Sequence, residues 1–192
     1  NADAVKGAEV VVVTLPPEAT VPAMMELHGY LNPKQFVVST VVAMRRKKGL
    51  FCCTTISAKD LGISENKSAA EVIQEIVKPV PVVSAFQTVP AAYLNNIDSV
   101  LNLDVLIAGD DELSVSVVSK LVRDIPNLRP LRVGPLENSK WIESITPLLL
   151  TNLIPADDGI HNITKGSWAN DTQYQYANAS EFYAARFGRV PT

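Results

Sequence analysis

The sequence predicts an α/β protein: a doubly wound, mostly parallel sheet followed by an irregular C-terminal tail. Three observations predict it. Short β-branched runs recur at residues 8–15, 36–42, 80–86, 103–108 and 128–133. Stretches of helical periodicity separate most of them. The first run, AEVVVVTL, is apolar throughout rather than alternating, which suits a strand covered on both faces.

The elements follow in order. Pro16 and Pro17 stop the first strand, and 18–31 reads as a helix with Val21, Met24, Met25, Leu27 and Leu31 on its apolar side. Asn32-Pro33 ends that helix, and FVVSTVV forms the second strand. Residues 43–65 show no clear period and are expected to form a long loop or insertion. Ser64 or Asn66 is the expected cap of a helix over 68–77. A third strand, VPVVSAF, leads to a short helix over 90–94 with Pro90 in its first turn. The fourth strand, LDVLIA, precedes a helix over 111–123, with Asp110 as its cap and Asp111 and Glu112 at its positive end. After the fifth strand, Gly134-Pro135 turns the chain into a helix over 136–150. Trp141, Ile145, Leu148 and Leu149 are its buried candidates. Residues 1–154 are read as one domain. Residues 155–192, rich in Asn, Ser, Tyr and Ala, are read as a tail that crosses the surface or leaves the domain.

Composition narrows the function classes. Hydrophobic residues make up 47% and charged residues 19%, which indicates a globular rather than a disordered chain. A net charge of -3 gives no global reason to bind nucleic acid or an acidic membrane. No apolar run approaches the roughly 20 residues of a membrane span, and no leader-like segment is visible. Cys52 and Cys53 are the two cysteines, and adjacent cysteines rarely pair. The expectation is a soluble protein of a reducing compartment, the cytoplasm or an organelle interior. The chain begins at Asn1, which suggests processing, truncation or a partial sequence.

In a doubly wound sheet, ligands sit beyond the carboxyl ends of the strands. That rule selects the loops at 14–18, 39–46 and 87–91. The Arg45–Lys48 basic run is either a solvated loop or a phosphate clamp. Gly109-Asp110-Asp111 resembles a metal-binding sequence, but a helix cap explains it better. His28 is expected at or near the surface. Neither it nor His161 has an obvious Ser or Asp partner, so hydrolase chemistry is not indicated. Cys52-Cys53 is read as buried in a loop rather than reactive. Asn66, Asn162, Asn170 and Asn178 begin N-x-S/T sequons that are read as chance.

Four stretches carry a family resemblance: VVVTLPPEA (11–19), VVSAFQTVPAA (82–92), LIAGDDE (106–112) and LRPLRVGPLENSKWIESITPLLL (128–150). In that order the chain resembles the coenzyme F420-dependent NADP oxidoreductases. A GPLEN turn leading into an ITPLL helix is the most specific of these features. The resemblance covers about residues 1–163. It implies an NAD(P)-binding Rossmann-like domain and hydride transfer between a deazaflavin and a nicotinamide, with NADP and coenzyme F420 as cofactors. It implies that Thr14, Leu15 and Pro16 border the NADP side. Val42 to Arg45 would lie near the nicotinamide and pyrophosphate. Thr88, Val89, Pro90 and Ala91 would line the floor where the two rings meet, and Leu136 to Asn138 would support the deazaflavin pocket.

The family pattern begins with a strand, a G-x-G-x-x-G loop and a helix, which bring backbone N–H groups to the dinucleotide phosphates. Gly7, Gly29 and Gly49 are isolated, so these 192 residues do not supply that loop. The expectation is that the first two βα units are missing. An uncovered sheet edge would then be completed by the absent part or by a partner. Whether the chain itself is an enzyme therefore stays open at this point. An alternative is a non-catalytic, degenerate accessory subunit held in a larger assembly by the sheet edge and the C-terminal tail. A further one is a pyrroline-carboxylate-reductase-like or metalloreductase-like enzyme using NADP with another acceptor.

Overall fold

The computed structural model describes residues 2–47, 50–90, 94 and 103–153. A short helix α1 (Ala2–Val5) leads into β1 (Val10–Val13), α2 (Pro17–His28) and β2 (Phe36–Ser39). Then follow β3 (Met44–Lys47), β4 (Leu50–Cys53), a 3-10 turn (Lys59–Leu61), α3 (Ala69–Val77) and β5 (Val82–Ser84). The last elements are β6 (Leu103–Gly109), α4 (Glu112–Asp124), β7 (Leu128–Arg132), a 3-10 turn (Leu136–Asn138) and α5 (Ser139–Leu153).

Five strands form one sheet in the order β1-β2-β5-β6-β7. β1, β2 and β5 run parallel, and β6 and β7 run parallel to each other. The single antiparallel ladder joins β5 to β6. The mostly parallel, doubly wound sheet expected from the sequence is the fold observed. Alternate residues feed opposite faces. Val37 and Val82 join a core with Met24, Leu27, Ile73 and Val77 beneath α2 and α3. Val38 and Val83 join a second core with Val105, Ile107, Val115, Val118 and Val122 beneath α4. Two covered faces explain why the runs are apolar throughout.

Several boundaries move. The strands expected at 8–15, 36–42 and 80–86 are shorter, because the ladder ends where the chain turns toward the strand-end loops. Residues 43–65 are not one long loop: β3 and β4 form an antiparallel hairpin, with Arg45 opposite Cys52 and Arg46 opposite Phe51. Its first strand, MRRK, shows no apolar alternation, so backbone pairing builds it without a sequence signal. The cap of α3 is Ser68, not Ser64 or Asn66. Its side chain accepts from the Glu71 backbone N–H while the Glu71 carboxylate accepts from the Ser68 N–H, a reciprocal capping box. The cap of α4 is Asp111, which accepts from the Ser114 N–H at 2.8 Å, while Asp110 accepts from the Leu136 N–H at 3.0 Å. The predicted helix over 136–150 is a 3-10 turn followed by α5. Trp141 and Leu148 are 65% and 60% exposed on it, and Ile142 and Glu143 take the buried positions expected of them. The expected helix over 90–94 and the tail lie outside the described residues, apart from Pro90 and Leu94.

Among the described residues no helix is long and apolar enough to cross a membrane, and no cluster of three metal-ligating side chains occurs.

Candidate functional site

Strand register brings the three predicted loops together. Val13 pairs with Ser39 and Ser39 with Ser84, so β1, β2 and β5 end at one level. The backbone continues that level: Thr40 N–H donates to Val13 O at 3.2 Å, and Ala85 N–H donates to Ser39 O at 3.1 Å. Neighbouring strands lie about 4.8 Å apart, so the loops leave the sheet within about 10 Å of one another. Thr14 and Pro16 are exposed and Leu15 packs on the core beneath α2. Val42 is half-buried, and Arg45 is exposed on the hairpin that follows β2. Thr88 is buried, Val89 and Pro90 are half-buried, and Ala91 lies outside the described residues.

Beneath these loops is a buried polar cluster of which sequence reading singled out only Thr88. Ser39, Ser84, Gln87 and Thr88 are all buried at the strand ends. The Gln87 amide nitrogen donates to Ser39 O at 2.9 Å and to Ser84 Oγ at 2.7 Å. A backbone carbonyl can only accept, so the amide orientation is forced. Both N–H groups are then used inward. Gln87 Oε1 is buried and has no hydrogen-bond partner, alone in this respect among the described residues. A buried oxygen left unmatched costs about 1–3 kcal/mol.

Two features hold the Gln87 loop in place. Phe86 takes a left-handed conformation at φ 70, an unfavourable region for a bulky residue, and the turn closes through Val89 N–H to Phe86 O at 3.0 Å. From the other side, Thr146 on α5 donates to the Gln87 carbonyl at 2.8 Å. α5 is in turn fixed to the start of α3. Glu143 accepts from the N–H groups of Ala69 at 2.9 Å and Ala70 at 3.1 Å. Ser139 Oγ donates to Leu136 O at 2.6 Å, so the 2.6 Å contact between Ser139 and Ser68 must be a donation from Ser68. Burial pushes the Glu143 carboxyl up to about 7, against the opposing pull of its two backbone donors. The positive end of α3 thus faces a carboxylate of its own chain.

The other candidates separate from this site. Cys52 and Cys53 are on β4 rather than in a buried loop. Cys52 is half-buried and Cys53 is exposed, and successive strand side chains point to opposite faces. His28 is exposed and lines a cleft of about 600 Å³ between α2, α3 and residues 61–64, with Met25, Leu61, Ile63, Lys67 and Glu75. That cleft includes no residue of the three strand-end loops.

No family model matches the chain. The F420-dependent NADP reductase of Methanocaldococcus jannaschii is 38% identical over 152 residues, spanning 78% of this chain and 64% of the relative. Over that length the chain is similar to the F420-dependent NADP reductases. The F420-dependent NADP reductase of Methanothermobacter marburgensis is 30% identical over the same length, covering 65% of that relative. The chain therefore spans just under two thirds of the curated reductases it matches. Among solved structures, a candidate F420-dependent NADP reductase from Arthrobacter sp. FB24 aligns with a TM-score of 0.65 at 18% identity. That alignment covers 78% of this chain and 66% of the other, and it supports the Rossmann-like fold.

Proposed function

We propose that the protein is an NADP-linked oxidoreductase of the F420-dependent type, moving a hydride between a deazaflavin and a nicotinamide. The carrying observation is that β1, β2 and β5 end at one level, with the buried Gln87 Oε1 unpartnered beneath their loops. Similarity to the reductases of Methanocaldococcus jannaschii and Methanothermobacter marburgensis supports the same reading. No observation favours the accessory-subunit alternative.

The residues present fit flat redox rings. When bound, the deazaflavin and the nicotinamide supply the hydride chemistry between them, so the protein needs neither nucleophile nor metal. The task of the chain is to hold two planes together and exclude water. Thr14, Leu15 and Pro16 form one wall, with Val42 and Arg45 following from the next strand. Thr88, Val89 and Pro90 form the floor. Val89 and Pro90 offer apolar surface to a ring, and Gln87, buried beneath them, would set the shape of the floor through its bonds to Ser39 and Ser84. Arg45, exposed on β3, faces solvent where a phosphate could meet it.

The test uses the full-length protein of the native gene. Mixing it with NADPH and oxidised F420 should bleach the deazaflavin absorbance, and equilibrium titration should show saturable binding of both. Failure to bind either molecule at millimolar concentration would sink the reading.

A further inference from the structure

One face of α5 meets the rest of the molecule with polar side chains. Ser139, Glu143 and Thr146 follow at spacings of four and three residues, which places them along a single side of the helix. The first two lead to α3. Ser139 is bonded to Ser68 at the cap, and Glu143 accepts from the Ala69 and Ala70 N–H groups in the first turn. Thr146 leads elsewhere, to the strand-end loop, where it donates to the Gln87 carbonyl at 2.8 Å.

The direction of that bond is selective, because a hydroxyl has one proton to give. Thr20, Ser119 and Ser144 give theirs to the carbonyl four residues earlier, the usual local partner of a helical hydroxyl. Thr146 gives its proton to a residue 59 positions away. Pro147, buried beside it, has no N–H for the Glu143 carbonyl, so the ladder of α5 is interrupted at this turn. Helix bonding holds the turn less firmly there, and the outward bond ties it to the loop.

Gln87 is thereby gripped at both ends. Its side-chain amide is held by Ser39 and Ser84, and its carbonyl by Thr146. That carbonyl shares a rigid plane with the Thr88 N–H, so fixing it sets the direction in which the chain enters Thr88, Val89 and Pro90. Phe86, at φ 70, starts the turn from an unfavourable region, which persists only where the surroundings hold it.

We propose that Thr146 is a positioning residue for the hydride transfer, acting through the Gln87 carbonyl rather than by touching a ring. The assignment rests on the redox reading above. Reacting atoms must stand about 3–3.5 Å apart, so a floor free to shift slows the chemical step more than it weakens binding.

The full-length protein tests it in three forms: unsubstituted, Thr146→Val, which keeps the shape without the hydroxyl, and Thr146→Ser, which keeps the hydroxyl. With NADPH and oxidised F420, Thr146→Val should lower kcat on the order of tenfold and leave both KM values within about twofold, and Thr146→Ser should recover most of the loss. Amide hydrogen exchange reads the loop without any cofactor. The Val89 N–H, bonded to Phe86 O, should exchange on the order of tenfold faster in Thr146→Val, whereas the Val118 and Val122 amides of α4 should not change. A global loss of stability would speed all three. An unchanged kcat in Thr146→Val, equal losses in the Val and Ser variants, a raised KM at constant kcat, or Val89 exchange that changes only in step with α4 would each overturn the positioning role. Absence of turnover in the unsubstituted protein would overturn the redox reading and this assignment with it, leaving the exchange result to stand for the loop clamp alone.

Discussion

Gln87 donates both amide protons inward, to Ser39 O and Ser84 Oγ, and this leaves its buried oxygen without a partner at the strand ends. Replacing Gln87 by Met keeps the length and removes the polarity. The fold should lose about 1–2 kcal/mol, because Ser39 O keeps its Ala85 donor while Ser84 loses its amide partner. Ligand affinity should fall on the order of tenfold, read by titration with the deazaflavin and the nicotinamide separately. Unchanged affinity for both would remove Gln87 from the site. Nothing in a lone Gln after a strand announces this role. The available signal was its position at a strand end beside the Phe86 turn, and a left-handed φ at a phenylalanine cannot be read from residue type. Thr14, Leu15 and Pro16 were legible for the opposite reason, since a strand broken by two prolines marks its own end.

At the scale of elements, helix caps and packing contacts decide how the loops are held. β6 meets α4 and β5 at Gly109, where an added Cβ would stand 2.8 Å from Val115 Cγ2 and 3.3 Å from Val83 Cγ2. Gly109→Ala should therefore destabilise the fold by about 1–3 kcal/mol through overpacking, measured as a lower midpoint in urea. A midpoint equal to that of the unsubstituted chain would mean the two valines yield freely. α5 shows how far an element can be foreseen. Its GPLEN start and its existence were legible. Its buried face was not, because Ser139 and Glu143 are hidden by hydrogen bonding to α3 while Trp141 lies in solvent. Polar burial of this kind depends on a partner distant in sequence, which periodicity does not report.

For the whole molecule, Glu143 links pH to stability. Its carboxyl titrates near 7 in the folded state and near 4.5 when unfolded, so between those values the native state binds the extra proton. The stability it contributes is complete below about pH 4.5 and is lost as pH rises to about 7, with a maximum slope of about 1.4 kcal/mol per pH unit. Glu143→Gln should flatten the stability curve over that window, measured by urea unfolding at pH 5, 6 and 7. A curve of unchanged slope would show that Glu143 does not titrate there. Because α5 also holds Thr146 against the Gln87 loop, the same substitution reports on how firmly the groove depends on this junction.

The sequence by itself determined the class of fold, the order of most elements and the three loops that meet. Each is written in local residue choice: unbroken β-branched runs, proline stops and acidic helix starts. Only the tertiary structure decided that residues 43–65 contain a hairpin, that β6 turns antiparallel to β5 and that Gln87 is buried at the strand ends with an unpartnered oxygen. It also decided that a glutamate on α5 fills the positive end of α3. The physical reason is common to all four. Local propensity acts over one or two turns of chain, whereas strand direction and buried hydrogen bonds are settled by groups tens of residues apart competing for the same interior space.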